Sequence, residues 1–82
     1  MNYTAEVKVM LKDGIADPQG QTIERALPAL GYTGVTGVRV GKQIHLSVEA
    51  DSSEDAARRV NEMCEKLLAN TVIESFQVEI DG

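Results

Sequence analysis

From Tyr3 the chain alternates, with Ala5, Val7, Val9 and Leu11 on one side and Glu6, Lys8, Met10 and Lys12 on the other. That is the period of a half-buried strand. Asp13-Gly14 ends it as a turn. Ile23, Ala26, Leu27 and Leu30 then fall at helical spacing, with Asp17 placed to cap the helix and Pro18 at its first position, where a missing N–H costs nothing. Gly31 closes that helix. Gly20 falls in its first turn, where the entropic cost of glycine is partly avoided. Pro28 removes a backbone donor and crowds the carbonyl of Glu24, which predicts a kink in the last turn.

The segment Val35 to Ala50 keeps Val38, Val40, Ile44, Leu46, Val48 and Ala50 on one parity. A two-residue hairpin at Gly41-Lys42 would throw the two apolar sets onto opposite faces. A three-residue loop at Gly41 to Gln43 keeps the parity, as does one long strand bent or bulged near Gly41; the long strand is the favoured reading. It would run about 50 Å at roughly 3.3 Å per residue, so part of it would overhang the protomer. An overhanging edge leaves backbone groups unpaired, and pairing with another copy is the simplest cover.

Asp51 and Ser52 open a second helix, with Glu54 and Asp55 each three residues on, in the manner of a capping box. Ala56, Val60, Met63, Cys64, Leu67 and Leu68 form its apolar stripe, and Asn70 is suited to a left-handed end. Phe76, Val78 and Ile80 alternate with Ser75, Gln77 and Glu79 as a last strand. The predicted fold is α+β, a single domain over 1–82. It is a two-layer sandwich in the order strand, helix, long strand, helix, strand, ferredoxin-like in spirit, with two helices on one face of a mainly antiparallel sheet.

At 82 residues the chain leaves little stability in reserve, and association with another chain is a common remedy. Its net charge of -5 opposes attraction to nucleic acid or to an anionic membrane surface. One cysteine allows no internal disulfide, and no early apolar run has signal-peptide length, so a cytoplasmic location is expected.

Candidate chemistry is sparse. His45, the one histidine, shares the polar parity with Gln43, Ser47 and Glu49 and is read as facing solvent or a partner chain. Cys64 lies in the apolar stripe as a small hydrophobe. One His and one buried Cys do not make a metal site. The acidic run Glu49, Asp51, Glu54 and Asp55 is explained by capping and the helix dipole. The glycine-containing stretch from Leu11 to Tyr32 lacks both common phosphate-loop patterns. Lys12, Arg39 and Lys42 are available to an anionic group on a partner. The residues alone describe a non-catalytic, oligomer-forming module with no cofactor.

The strings LKDGIADPQGQTIERALPALGY, GVTGVRVGKQIHLSVEA and VNEMCEKLLANTVIESFQVEI, in this order, resemble the PurS family, the small subunit of phosphoribosylformylglycinamidine synthase. The most specific elements are DPQG at Asp17 to Gly20, Leu30-Gly31, VGK at Val40 to Lys42 and MCEKLLAN at Met63 to Asn70. Pro28 departs from the family's helix-friendly pattern. The resemblance implies a component of a glutamine-dependent, ATP-consuming ligase complex of purine biosynthesis. In that complex a large synthetase subunit uses ATP and magnesium, and a glutaminase subunit releases ammonia. It further implies that the small subunit carries neither active site and bridges the two so that ammonia passes between them. Asp17, Gln19, Arg39, Lys42 and His45 are the candidate partner contacts, and a homo-dimer or tetramer through the long second strand is expected. An ACT-like small-molecule-sensing module shares the strand and helix alternation, and its mark would be an amino acid bound at a glycine-containing turn. An RRM-like RNA binder would need exposed aromatics on a basic sheet, and the chain has Tyr3, Tyr32 and Phe76 as its only aromatics.

Overall fold

The opening alternation folds as the central strand of a three-stranded sheet. A computed structural model of the chain describes residues 1–81. Its elements are β1 (Asn2–Leu11), α1 (Pro18–Ala26) continued by a 3-10 turn (Leu27–Leu30), β2 (Gly41–Glu49), α2 (Ser53–Met63) continued by a π turn (Cys64–Leu68), and β3 (Glu74–Asp81). The strands lie in the order β2-β1-β3, and β1 is antiparallel to both neighbours. Val7 sits opposite Ile44 and Val78, and Ala5 opposite Leu46 and Ile80, so the apolar parity of all three strands falls on one face. This is the predicted α+β order.

On that face Tyr3, Ala5, Val7 and Val9 are buried against Ala56 and Val60 of α2 and Cys64 at the start of the π turn. Ser52 caps α2 by accepting from the N–H of Asp55 at 3.0 Å, while the Asp55 carboxylate accepts from the N–H of Asp51 at 3.1 Å. The capping box is therefore real and reaches back one residue further than usual. Arg58 and Arg59 close on the same carboxylate, and these bonds, led by the Asp51 amide, hold its pKa below the ordinary value.

The end of α2 differs from expectation. No residue other than glycine has positive φ among the described residues, so Asn70 does not make a left-handed cap. Instead the chain widens into the π turn, where the N–H of Ala69 reaches the carbonyl of Cys64 at 3.0 Å. A turn closed over five residues rotates the residues beyond it away from the α phase. The apolar stripe is split accordingly: Cys64 is fully buried and Leu68 partly so, but Leu67 is 83% exposed.

The long second strand is also corrected. Only Gly41–Glu49 pairs with β1, and Val35–Val40 lie outside the ladder. Neither the single strand nor the three-residue hairpin forms. Gly34 and Gly37 adopt φ of 81° and 71°, a conformation that interrupts an extended run. β1, moreover, pairs with β2 only as far as Met10 opposite Gly41. Two carboxylates take the place of a neighbouring strand. Glu24 Oε1 accepts from the N–H of Val38 at 2.9 Å, and Asp17 Oδ2 accepts from the N–H of Val40 at 2.8 Å. Gly41 is needed at the entry to β2, since a Cβ there would strike the Met10 side chain and stand 2.5 Å from the carbonyl oxygen of Val9.

Asp17 joins this segment to α1. Its other carboxylate oxygen accepts from the N–H of Gly20 at 2.9 Å, the predicted N-cap. Gly20 is buried here because a Cβ would stand 2.5 Å from the carbonyl oxygen of Val38. The predicted distortion at Pro28 appears as a change of helix type. α1 gives way to the 3-10 turn, which Gly31 closes at φ 93° with its N–H on the carbonyl of Pro28 at 3.0 Å. Of the two helices, α2 is the one laid across the strands; α1 packs against its own 3-10 turn. The chain is accordingly long, 51 × 25 × 14 Å.

Three outcomes are expected from this packing. Cys64→Ala removes a small buried group and is expected to cost about 1 kcal/mol, read by denaturant unfolding, with assembly intact. Gly20→Val should lower Tm and loosen the contact with Val38, seen as faster amide exchange at Val38 and Val40, whereas Gly14→Ala, in open space though at positive φ, should leave those amides unchanged. The Asp17 carboxyl is held below its ordinary value of 3.8, first by the Gly20 amide and then by the Val40 amide. Its contribution to stability is therefore present above that ordinary value and lost as pH falls through the lowered one. The Tm gap between the wild-type chain and Asp17→Asn should be widest near neutrality and close in acid; a gap independent of pH would contradict the assignment.

Candidate partner interface

Where β2 begins and α1 leaves the sheet, the chain forms an open cleft of about 300 Å³ lined by Val9, Leu11, Asp17, Pro18, Gln19, Val40, Gly41, Lys42 and Glu74. The DPQG turn makes one wall because Asp17 is fixed to Val40, and the VGK turn makes the other because Gly41 lets β2 close on Met10. Three of the five candidate contact residues, Asp17, Gln19 and Lys42, thus meet in one place although Gln19 and Lys42 are far apart in sequence. Arg39 flanks them. Its guanidinium pairs with Asp13 at 3.3 Å and donates to the carbonyl of Leu11, which ties the approach to β2 to the end of β1.

His45 is not part of this cleft. It stands on the opposite, polar face of the sheet beside a depression of about 400 Å³ shared with Thr4, Ala5, Glu6, Glu79 and Asp81, its Nε2 3.1 Å from Nε2 of Gln43. A second depression of about 400 Å³ on that face lies between Lys8, Lys42, Gln43 and Gln77. Lys8 is engaged only loosely, at 3.7 Å from Glu6 and 4.0 Å from Glu79. Such exposed pairs contribute little stability. Lys12 is held by the carbonyl of Thr71 at 2.7 Å.

The Asp17 acid and the Cys64 thiol are both committed to the fold. The Asp17 carboxylate is committed to two backbone amides, and burial pushes the Cys64 thiol up, with the Glu65 charge adding to it, so the thiol stays protonated at neutral pH. Among the described residues no group of three or more His, Cys, Asp or Glu is placed to hold a metal ion, and no helix is long and apolar enough to cross a membrane. Sequence reasoning passed over Glu24, whose bond to Val38 is as direct as that of Asp17 to Val40. Nothing in the local pattern marks it, since its partner lies 14 residues on. The steric need for Gly20 was likewise invisible without Val38.

Comparison with known proteins gives one family by three routes. Residues 4–82 match the family described as PurS, phosphoribosylformylglycinamidine (FGAM) synthase. The chain is 46% identical over 79 residues to the phosphoribosylformylglycinamidine synthase subunit PurS of Bacillus subtilis, covering 96% of this chain and 93% of that one. It is 40% identical over 79 residues to the corresponding subunit of Methanocaldococcus jannaschii, covering 96% and 95%. Its structure matches that of Bacillus subtilis PurS with a TM-score of 0.86 at 45% identity, covering 98% of this chain and 99% of that one. A chain in the structure of PurLQS from Thermotoga maritima matches with a TM-score of 0.88 at 38% identity, covering 98% of each. Spanned almost end to end by the family and sharing its fold, the chain belongs to the PurS family of phosphoribosylformylglycinamidine synthase subunits.

Proposed function

We propose that this chain is the non-catalytic small subunit of a phosphoribosylformylglycinamidine synthase complex in cytoplasmic purine biosynthesis. It bridges the synthetase and glutaminase subunits so that ammonia released from glutamine reaches the synthetase site. The observation that carries the reading is the family match over residues 4–82, reinforced by the fit to a chain of a PurLQS structure over 98% of both. The side-chain inventory agrees with it. The acidic groups with displaced pKa values, Asp17 and Asp55, are occupied in capping helices, and the single thiol is buried.

Self-association belongs to the same proposal and uses the second strand in its observed, shorter form. β2 is an edge strand, paired on one side only. Its row of free backbone groups carries no proline to discourage pairing. The cleft at Asp17, Gln19 and Lys42, with Arg39 beside it, and the polar sheet face at His45 are the surfaces this reading offers to the catalytic subunits.

The isolated chain is expected to hydrolyse neither glutamine nor ATP. Omitting it from a reconstituted mixture should abolish glutamine-driven amidine formation while the synthetase supplied with free ammonia keeps its activity, because only delivery has failed. Equal glutamine-driven rates with and without the chain would remove the bridging role.

A further inference from the structure

The polar face of the sheet is a grid of side chains set by the strand register. Gln43, Lys8 and Gln77 stand side by side in one row, and Gly41, Met10 and Ser75 in the next, toward the sheet end. On the other side of the Lys8 row come His45, Glu6 and Glu79, and then Ser47, Thr4 and Asp81. The charge therefore reverses along the strands. The depression of about 400 Å³ at the first two rows is lined by no carboxylate, in a chain with 13 acidic against 8 basic residues. The depression at the other two rows is lined by Glu6, Glu79 and Asp81 and by no lysine.

The acids nearest the first depression are engaged elsewhere. Glu74 accepts from the N–H of Asn70 at 2.7 Å, Asp17 from those of Gly20 and Val40, and Asp13 pairs with Arg39. Glu6 and Glu79 approach Lys8 only at 3.7 and 4.0 Å, which leaves its half-exposed ammonium free to turn toward another anion. Lys42, at the free edge of β2, lines this depression as well as the cleft on the apolar side. Among the described residues no carboxylate stands within ion-pair distance of it. Ser75 and Gln77 bring a hydroxyl and an amide from β3. The corner at Gly41 stays low because a Cβ there would strike the Met10 sulfur, so no side chain rises beside Met10.

We propose that the first depression is a binding site for a small phosphate monoester. The phosphate sits between Lys8 and Lys42, whose ammonium groups act as point charges, and takes further bonds from Ser75 and Gln77. The rest of the molecule lies over Met10 and the bare backbone of Gly41. Two rows across three strands cover about 10 by 7 Å, room for a phosphate and one sugar-sized body. The volume falls within the range of small-molecule sites, roughly 300 to 1,000 Å³. A phosphate ester fits this donor set better than a carboxylate does: its three free oxygens accept from several directions, while a carboxylate offers two in one plane. Binding is reversible and weak, because both cations are exposed and salt screens them. Glu6 and Glu79, one row away, repel an anion that strays toward them and so confine it to the sheet end.

The test uses the full chain labelled with nitrogen-15 and titrated at constant ionic strength with glucose 6-phosphate, inorganic phosphate, glucose and a short oligoglutamate peptide. The proposal requires saturable shifts from glucose 6-phosphate at the side-chain amides of Gln43 and Gln77 and at the backbone amides around Lys8, Gly41 and Ser75. Inorganic phosphate should give the same pattern and glucose none. Lys8→Gln and Lys42→Gln should each weaken binding about fivefold, the loss of one of two cations, with the rest of the spectrum unchanged. Lys66→Gln, on the π turn, should bind as the wild type does; an equal loss there would reduce the effect to net charge and overturn the site. Absence of saturation at tens of millimolar overturns it, as do shifts that chloride alone reproduces. A response to inorganic phosphate without one to the sugar phosphate marks an adventitious ion only and refutes the proposal. A stronger response to oligoglutamate at the same amides also refutes it, and assigns the two lysines to an acidic segment of a partner.

Discussion

Pairing of β1 on both sides is the constraint on which the other elements depend. Val7 and Val9, 0% and 1% exposed, are covered by neighbouring strands left and right and by α2 above. Both neighbours are far away in sequence. β2 arrives after the whole of residues 12–40 and β3 after α2, so the sheet cannot form from local contacts alone. The ladder is extended at its ends by backbone bonds, Ala50 with Met1 on one side and Lys12 with Ile73 on the other.

With the sheet limited to three strands and one helix across it, the chain has more apolar side chain than it can cover. α2 uses the small residues Ala56, Val60 and Cys64 to approach β1 closely, and the larger apolar residues are left at the margins. Those of α1 project from one end, and Leu67 within the π turn and Val72 just beyond it are 83% and 80% exposed. The opposite face of the sheet is polar apart from Met10, and open. The molecule therefore offers chemically different surfaces on its two faces and at its two ends.

The parts of this fold legible in the sequence were those set by local periodicity and capping. β1 and β3 alternate cleanly, Ser52 and Asp17 cap as their positions suggest, and Pro28 disturbs the helix where it lies. What could not be read depended on partners distant in sequence. The parity of Val38 and Val40 with Ile44 and Leu46 matches a continuous strand, but it says nothing of Gly34 and Gly37 turning left-handed, nor of two carboxylates reaching the Val38 and Val40 amides. The stripe on α1 is legible as an apolar surface, yet the periodicity does not tell that Ile23 and Leu30 stay 41% and 71% exposed. The candidate contacts divide in the same way. Asp17, Gln19 and Lys42 come together because their turns adjoin at one sheet end, and His45 falls elsewhere because parity alone sends it to the polar face.

The π turn has a meaning for how this chain can vary. A turn closed over five residues holds one residue more than an α-helix needs at that point. The surplus sits between two well-defined halves, the packed body of α2 and the strand that completes the sheet. Removing a residue between Cys64 and Leu68 would let α2 run on in ordinary α geometry, with β3 still able to reach its place beside β1. Such a junction works as a slip joint: it absorbs changes in chain length without passing them on to the strand register.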